Sequence, residues 1–595
     1  MAPKERTYAW DAWFDAPPAR VWPYVADTDR VDRLAGLPPA TYVPVEAGYD
    51  VRQTFYGLLP TAYEEAPYEW VEGERFAVVR TFSKGPVTRL VVRTRLVPEE
   101  RGTRVVTELD ATPRSALAAL ALPLLMRNAR RGHQAAHARL RLELLGEAEA
   151  PPERRAVVRK VAARLAAVGP VPDDLAAHLA SHLAGADAAD LVRIRPFALA
   201  DRWKAPRREV LATFLAAVRA GVLELTWESL CPHCRGTPRS ARRLADVRAA
   251  ARCDACALDF EVEFDRSLEA VFRPAADLRR IGAQTWCLGG PGTTPHVVAQ
   301  RRVPAGATAE VTVALAAGAH RVRVARRPGL ASLEVDRAPG GAADVEVTLA
   351  DGEVRAAPAT VGAGTVRLRV TNATAREATV VVERTAWLDD VATALDVVAL
   401  PGFADVFTAD VLAPGERVAV RRVAFLFTDL KGSTALYRRV GDAAAYARVR
   451  EVFGALRDAV RAHDGMLVKT IGDAVMAAFP TPASAAAAAF AMHRAVAGLA
   501  VPAGEPPLVL KAGLHVGPSL VVNAGGALDF FGTTTNLAAR AQHEARGGDV
   551  VLTDAAADDE GVRRVLAGVP HDEERFAATL KGFAAPVGLR RLTPA

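Results

Sequence analysis

The chain has 595 residues, of which 50% are hydrophobic and 24% charged, so it is too long for one core and should form about three to five domains. Its net charge of +6 is small for this length and does not by itself predict nucleic-acid binding. The first residues contain no signal-peptide core, and the longest apolar run, 116–126, is too short to span a membrane and is interrupted by Pro123. We therefore expect a cytoplasmic protein without a membrane segment.

Residues 1–147 alternate like an antiparallel sheet that ends in a long helix. The predicted strands are 9–15, 76–81, 89–97 and 103–109, and the predicted helices are 18–25 and 116–145. The segment from Phe14 to Trp22, with Asp27 and Thr28, resembles the START-like or polyketide-cyclase-like (SRPBCC) superfamily. That resemblance implies a helix-grip fold, in which a curved sheet wraps around the last helix and encloses an apolar cavity. The residues leave open whether the cavity takes an apolar small-molecule ligand or is a filled core used for docking.

Residues 148–230 are predicted to be mainly helical, with a strand at 221–227. A helix pair followed by a strand resembles winged-helix modules, whose basic residues contact phosphate groups. The basic residues that could do so here are Arg195, Arg202, Lys204, Arg207 and Arg208. Scattered arginines on amphipathic helices more often form a solvated face, so we do not expect a nucleic-acid partner.

Five cysteines in a chain expected in the cytoplasm argue against a disulfide framework. Four of them form Cys231-Pro-His-Cys234 and Cys253-Asp-Ala-Cys256, with 18 residues, 235–252, between the pairs. This spacing predicts a zinc ribbon over residues 231–270, in which four thiolates hold one structural Zn²⁺ and leave no position for water or substrate. The fifth cysteine, Cys287, is predicted to be a buried structural thiol.

Residues 271–400 form short alternating runs rich in Val and Thr, a pattern typical of a β-sandwich. They contain no catalytic constellation. A connector over residues 400–416 then leads into the last predicted domain, residues 415–595.

In this last domain, two buried apolar strands each deliver an aspartate to their end. Asp429 closes the run 423–430, and Asp473 follows the run 466–471. Two carboxylates on rigid strands suit hard divalent cations, because Mg²⁺ prefers one or two carboxylates together with phosphate oxygens. The residues after the first aspartate, Gly432, Ser433 and Thr434, can open a helix whose free N–H groups would face a phosphate.

Together with Asp529-Phe530-Phe531-Gly532 and the segment 535–540, these motifs resemble the class III nucleotidyl cyclase catalytic domain. The resemblance implies a ferredoxin-like core and attack of a ribose 3′-hydroxyl on the α-phosphate of a nucleoside triphosphate. It assigns two Mg²⁺ or Mn²⁺ ions to Asp429 and Asp473 and the phosphates to Gly432, Ser433 and Thr434. Residues 160–400 also look like an uncharacterised domain attached to bacterial cyclases, so the whole chain is predicted to be a multidomain α+β protein.

The residues that select the base in this family fall at Lys469 and Asp529. A lysine can only donate, which suits adenine N1, and an aspartate accepts from the exocyclic amine. Guanine presents the opposite pattern, so the pair predicts ATP as substrate. The resemblance further implies that Asn536 orients the ribose, that Arg540 stabilises charge in the transition state and that Lys581 binds phosphate.

In the family, the metal aspartates of one subunit meet the base-selecting residues of another, so the resemblance implies a homodimer with two sites. The predicted function is an adenylate cyclase regulated by the N-terminal domains. A guanylate cyclase and a catalytically silent nucleotide-binding scaffold are the alternatives.

Overall fold

A computed structural model describes residues 4–46, 48–55, 57–145, 155–254, 256, 258–282, 284–337, 343–387, 390–400, 403, 412, 416–501, 507–524 and 527–594. These residues form two compact units, one built mainly from 1–152 and 282–387 and the other mainly from 153–253, 259–281 and 388–595. Most of the predicted connector 400–416 lies outside the described residues. Among the helices of the described ranges, none has the length and apolar character needed to cross a bilayer.

The N-terminal part of the first unit contains eight strands of one sheet, together with three helices. The strands are β1 (Arg6–Phe14), β2 (Ala40–Val45), β3 (Gly48–Phe55), β4 (Leu59–Glu65), β5 (Glu69–Val71), β6 (Arg75–Lys84), β7 (Val87–Glu99) and β8 (Gly102–Pro113). The helices are α1 (Pro18–Val25), α2 (Thr28–Leu34) and α3 (Ala116–Leu145). The sheet runs in the order β1-β8-β7-β6-β5, with β4 also pairing with β6. Leu140 and Leu144 of α3 pack into a core with Phe14, Trp22 and Val78.

The alternation of the sequence located β1, β6, β7 and β8 but missed β2 to β5. β2 shows why, since none of its residues is fully buried and Pro44 lies within it. A strand without a buried face has no reason to alternate apolar and polar residues, so its sequence resembles a loop.

The second unit begins with helices and short strands. These are α4 (Arg155–Ala166), α5 (Asp173–Gly185), α6 (Ala188–Val192), α7 (Pro196–Trp203), α8 (Arg207–Arg219), β9 (Leu223–Ser229), β10 (Arg239–Ala241), β11 (Ala250–Cys253), β12 (Leu258–Glu261) and β13 (Leu268–Pro274). β9 is the central strand of the sheet β10-β9-β13. Several of the arginines considered for DNA contact form ion pairs here: Arg195 with Glu269 at 2.9 Å, Arg207 with Asp201 at 2.6 Å and Arg208 with Asp464 at 2.7 Å.

The first unit continues with nine strands. They are β14 (Val297–Val303), β15 (Thr308–Leu315), β16 (Gly318–Val324), β17 (Leu330–Asp336), β18 (Asp344–Ala350), β19 (Glu353–Ala357), β20 (Thr360–Gly362), β21 (Gly364–Asn372) and β22 (Ala378–Arg384). The sheet β15-β21-β18-β19 shares a valine-rich core with the strands β14-β22-β16-β17-β20. β14 also pairs with β5, where Ala299 and Gln300 face Val71 and Trp70. The N-terminal sheet and this later sheet are therefore one continuous sheet of 13 strands.

The remainder of the second unit alternates strands and helices. The elements are α9 (Ala394–Val398), β23 (Arg417–Lys431), α10 (Ser433–Val440), α11 (Asp442–Ala462), β24 (Met466–Ile471), β25 (Ala474–Phe479), α12 (Pro482–Ala497), β26 (Val509–Ala524), β27 (Ala527–Phe531), α13 (Thr533–His543), β28 (Asp549–Thr553), α14 (Asp554–Ala557), α15 (Glu560–Ala567), β29 (His571–Ala578) and β30 (Val587–Pro594). The sheet order is β24-β25-β23-β26-β28-β30-β29, with β27 added to β26.

Alternation along β23 assigns its two faces to different cores. Ala424 and Leu426 pack with α11 and α12, whereas Val423 and Phe425 join a cluster that includes residues of α8, β9 and β13. The helical segment and the C-terminal sheet thus share one hydrophobic core within the second unit.

One strand of the C-terminal sheet is longer than its sequence pattern predicts, and another continues past a proline. β23 starts at Arg417 instead of Val423, and a bulge between Val420 and Val423 interrupts the alternation. The N–H groups of Arg421 and Arg422 in this bulge donate to the two carboxylate oxygens of Asp265, each at 3.0 Å. β26 continues past Pro518, which is tolerated because it lies opposite the bulge, where the ladder needs no N–H donor.

Candidate functional site

The two predicted metal-binding aspartates lie at the same end of the C-terminal sheet. Asp429 is near the end of β23, and Asp473 lies in the turn between β24 and β25. Because Thr428 pairs with Val475, the register places this turn beside Asp429. Both residues are half-buried, and neither side chain has an ion pair or hydrogen bond with any described residue. Two neighbouring carboxylates without a basic partner fit a site for divalent cations.

One basic residue at this end of the sheet is not evident from the sequence pattern. Lys511 of β26 is directly opposite Asp429 in the strand register, but the two side chains do not form an ion pair. Directly opposed residues of an antiparallel pair share a face. The strand register alone reveals this neighbour, because the two positions are far apart in the sequence.

The segment after Asp429 turns sharply into a helix, as predicted for a phosphate-binding loop. Gly432 has φ +89° and caps α10, a conformation that residues with a Cβ rarely adopt. The first N–H groups of a helix have no partner within the helix, so they are available to a phosphate at this terminus. Ser433 is buried, whereas the side chain of Thr434 lies outside the described atoms.

The two predicted base-selecting residues are brought together by the fold. Lys469 Nζ of β24 donates to Asp529 Oδ2 of β27 at 2.6 Å, although 60 residues separate them. Asp529 also accepts from the backbone N–H of Phe530 at 2.8 Å, and the Lys469 ammonium lies 5.8 Å from the centre of the Phe531 ring. The Lys469 side chain remains 39% exposed, so one solvent-accessible donor stands next to one fixed acceptor.

Asn536 and Arg540 are one turn apart on α13, with Asn536 exposed and Arg540 half-buried. α13 packs so closely on β26 that a Cβ on Gly513 would collide with the backbone of Gln542. The Arg540 guanidinium is 3.4 Å from His543 Nδ1, and the Asn536 side chain has no hydrogen bond to a described residue.

Lys581 lies in an exposed turn after β29. The preceding residue, Leu580, packs with Leu537 and Ala541 of α13, so Lys581 follows a residue anchored to the helix that carries Arg540.

The structure therefore assembles the predicted residues as separate pairs. Among the described residues, no hydrogen bond or ion pair links Asp429 or Asp473 to Lys469, Asp529 or Arg540. One chain presents a sheet end with two carboxylates, a donor–acceptor pair and a helix with an amide and a guanidinium, and no polar contact in the described ranges joins them.

The four cysteines of the two CxxC pairs converge. The sulfurs of Cys231, Cys234, Cys253 and Cys256 all lie within 4.8 Å of one another, and the Cys234 and Cys253 sulfurs are 3.7 Å apart. Four sulfurs bound to one Zn²⁺ at about 2.3 Å would be separated by about 3.8 Å, so this arrangement is compatible with a tetrahedral site. The backbone N–H groups of His233 and Gly236 donate to Cys231 and Cys234 sulfurs at 3.4 Å, which favours thiolates.

Cys287 is not part of this cluster. It is buried, its sulfur lies 3.4 Å from the Tyr68 hydroxyl, and burial raises its pKa to about 12, so it is a protonated thiol at neutral pH.

The first unit contains a cavity of about 440 Å³ between its sheet and α3. Apolar side chains dominate its wall, and the ionisable groups in the wall are Asp32, Tyr68, Arg80, His133 and His137. Burial raises the pKa of Asp32 to about 7. The positive charge of Arg80 lowers this pKa, whereas the negative charges of Glu65 and Asp29 raise it further.

This raised pKa predicts a pH-dependent stability of the first unit. The unfolded chain loses the Asp32 proton near pH 4 while the folded chain keeps it to about pH 7, so stability should fall as pH rises between these values. Ionisation of Asp32 then lowers the free energy of unfolding by at most about 4 kcal/mol, which corresponds to three pKa units at about 1.4 kcal/mol each. Water in the cavity would solvate the carboxylate and reduce this loss. Asp32→Asn should slow hydrogen exchange of peptides covering β1 at pH 8 and change it little at pH 4, whereas the exposed Asp11→Asn should do neither. An equal effect at both pH values would contradict this assignment.

Comparison with known proteins supports a class for the C-terminal part. Residues 417–560 match the family described as "Adenylate and Guanylate cyclase catalytic domain", so the chain carries a catalytic domain of this type. Residues 163–287 match a family of unknown function. An adenylate cyclase of Streptomyces coelicolor is 34% identical over 148 residues, which are 25% of this chain and 36% of that protein.

An uncharacterized protein of Mycobacterium tuberculosis is 34% identical over 163 residues, 27% of this chain and 38% of its own length. The chain thus spans less than two fifths of these curated relatives. Among solved structures, an adenylate cyclase of Trypanosoma brucei is 23% identical, with 29% of this chain and 89% of that chain covered and a TM-score of 0.26.

Proposed function

We propose that this protein is an adenylate cyclase that converts ATP into 3′,5′-cyclic AMP and pyrophosphate at sites shared by two copies of the chain. The observation that carries the choice of ATP is the contact of 2.6 Å between Lys469 and Asp529. Both residues were selected from the sequence as the base-recognising pair, and they are adjacent in the fold.

The pair has the polarity that adenine requires. Without nucleotide, each side chain satisfies the other; on binding, the Lys469 ammonium donates to adenine N1 and the Asp529 carboxylate accepts from the exocyclic amine. Guanine would place O6 against the carboxylate and N1–H against the ammonium. Such mismatched buried groups are strongly rejected, because each loses its hydration without gaining a partner.

Asp429 and Asp473 would hold the divalent cations at the end of the sheet. Two bound Mg²⁺ or Mn²⁺ ions would supply charge neutralisation of the triphosphate and a lower pKa for the ribose 3′-hydroxyl. In the reaction the O3′–P bond forms, the bond from the α-phosphorus to the pyrophosphate oxygen breaks and the hydroxyl proton is released. The two aspartates would fix the positions of the cations that balance the negative charge of the triphosphate.

The other residues act on the ribose and the phosphates. We assign ribose orientation to Asn536, stabilisation of negative charge on the α-phosphate to Arg540, and phosphate binding to Lys581 and the turn Gly432–Thr434. The absence of polar contacts between these groups within the described part of one chain supports a site completed by a second copy.

Regulation is proposed to come from the N-terminal domains. The shared core and the bond between Asp265 and the β23 bulge connect the helical and cysteine-containing segment to the strand that carries Asp429. A ligand in the first unit would bias how two catalytic domains meet. Because the site is shared, a small rotation at that interface would change the rate.

The reaction is tested on the full chain with ATP and, separately, GTP, each with Mn²⁺, by quantifying cyclic nucleotide and pyrophosphate. Cyclic AMP formed in excess over cyclic GMP supports the proposal. Preferential cyclic GMP would establish the guanylate alternative. Tight nucleotide binding without product would establish the silent scaffold.

The cysteine cluster is proposed to bind one structural Zn²⁺. Cys253→Ser should lower the zinc content of the purified protein by at least about tenfold, because metal binding supplies about 10–16 kcal/mol only with the complete thiolate set. Elemental analysis gives the metal content, and hydrogen exchange of peptides within 229–270 reports the local unfolding. The matched control is Cys287→Ser, which should leave the zinc content unchanged; zinc retained in Cys253→Ser would contradict the site.

A further inference from the structure

The cavity of the first unit has a polar end with an unusual balance of charge. Its wall includes Trp10, Val78, Phe76, Leu109 and Leu122, and the carboxylate of Asp32 is among these apolar groups. Asp32 is half-buried, and its side chain has no hydrogen bond or ion pair with any described residue. A carboxyl group in such a wall is costly to ionise unless a partner of opposite charge is present.

Arg80 is the cation of the wall, but its guanidinium is already occupied. Its Nε donates to Glu65 Oε2 at 2.9 Å, and one Nη donates to the Tyr68 hydroxyl at 3.3 Å. The guanidinium carbon also lies 5.4 Å from the centre of the Tyr63 ring. The Glu65 side chain is only 1% exposed, so its ion pair with Arg80 lies inside the protein. Because Glu65 neutralises Arg80, the guanidinium offers little net positive charge to an anionic ligand.

The remaining titratable groups of the wall add no positive charge. Burial lowers the pKa values of His133 and His137 to about 4, so both rings are neutral at pH 7. Among the buried polar atoms of the wall, Trp10 Nε1 and His137 Nδ1 also have no hydrogen-bond partner in the described part of the chain. With Arg80 balanced by Glu65, ionised Asp32 leaves the groups of the cavity wall with one negative charge in excess, and Asp29 outside the wall adds repulsion and no compensation.

We propose that the cavity binds an apolar molecule that carries one cationic amine group, with the amine paired to Asp32. A ligand of this class would bring the local charge to zero and give Asp32 the partner that the protein does not supply. A carboxylate ligand would raise the excess to two negative charges. The volume of about 440 Å³ is in the range of small-molecule pockets. This inference rests on the ligand-binding part of the proposed function and is independent of the cyclase reaction.

Three probes of equal chain length test the proposal: n-decylamine, 1-decanol and decanoate. Calorimetric titration of the full chain at pH 7.5 should give a dissociation constant for decylamine at least about tenfold below that of decanol, with decanoate weakest, a factor of ten being about 1.4 kcal/mol. In Asp32→Asn, decylamine and decanol should bind within about threefold of each other. Asp32→Glu, which keeps the charge, should retain the preference for the amine.

Two further variants separate the cavity from the protein surface. Asp11→Asn removes an exposed carboxylate of the same unit and should change no affinity. Val78→Trp, which fills the cavity, should weaken all three probes. Equal or tighter binding of decanoate, or an unchanged amine preference in Asp32→Asn, would overturn the choice of head group while leaving ligand binding intact. Binding of none of the probes would overturn both, and the comparison of ATP with GTP would be unaffected.

Discussion

Replacing Asp473 with asparagine is expected to lower the rate of cyclic AMP formation from Mn²⁺-ATP by at least about a thousandfold. Asp473 lies in the turn beside Asp429, and neither carboxylate has a partner among the described residues. Metal ions in such sites stabilise transition-state charge by several kcal/mol, and about 4 kcal/mol corresponds to a thousandfold in rate. The change should leave stability almost unaltered, because the side chain is half-buried and makes no described bond. Rates measured over a range of Mn²⁺ concentrations separate weaker metal binding from a slower chemical step.

The matched control for this variant is Asp458→Asn. Asp458 is exposed on α11 and has no described ion pair, so the same loss of charge is placed in the same domain away from the sheet end. Its rate should stay within about twofold of the parent. A fully active Asp473→Asn would show that the two carboxylates merely terminate their strands, and the proposed reaction would then need a different catalytic centre.

Exchanging the charges of the Lys469–Asp529 pair should invert the choice of base. In the double variant Lys469→Glu with Asp529→Lys, the ion pair can re-form with reversed polarity, so the local fold is preserved while acceptor and donor trade places. Guanine N1–H then meets an acceptor and O6 meets a donor. The ratio of kcat/KM for ATP over GTP should fall by about a thousandfold or more, since sites built around specific hydrogen bonds discriminate by factors of about 10⁴–10⁵.

The single variants and a second ion pair control this result. Lys469→Glu or Asp529→Lys alone places two like charges about 3 Å apart and should reduce turnover of both nucleotides. Exchange of the exposed pair Glu573 and Arg575, which are 2.6 Å apart, should leave the ATP/GTP ratio unchanged. If the double variant keeps the parent preference, the adenine-recognition assignment is wrong even if the protein is a cyclase.

Sequence patterns were sufficient where the information is local. An apolar run followed by an aspartate correctly places Asp429 and Asp473 at strand ends, although only β23 is largely buried and the residues of β24 are half-buried or exposed. The two CxxC pairs likewise identify the four cysteines whose sulfurs converge in the fold. The patterns failed where a strand has no buried face, as in β2, or where a bulge shifts the alternation, as at Val420–Val423 in β23.

Residue patterns were enough to select the side chains to which we assign the proposed chemistry: the two aspartates, the lysine and aspartate for the base, the amide and guanidinium one helical turn apart, and the cysteines. Which of these side chains meet depends on the three-dimensional fold. The contact between Lys469 and Asp529, the pairing of β5 with β14 and the bond from Asp265 to the β23 bulge join positions far apart in the chain. The isolation of Asp32 in an apolar wall likewise depends on β6, α2 and α3 together. Such placements follow from strand register and packing, which depend on the whole chain, and the pattern of any one segment does not contain them.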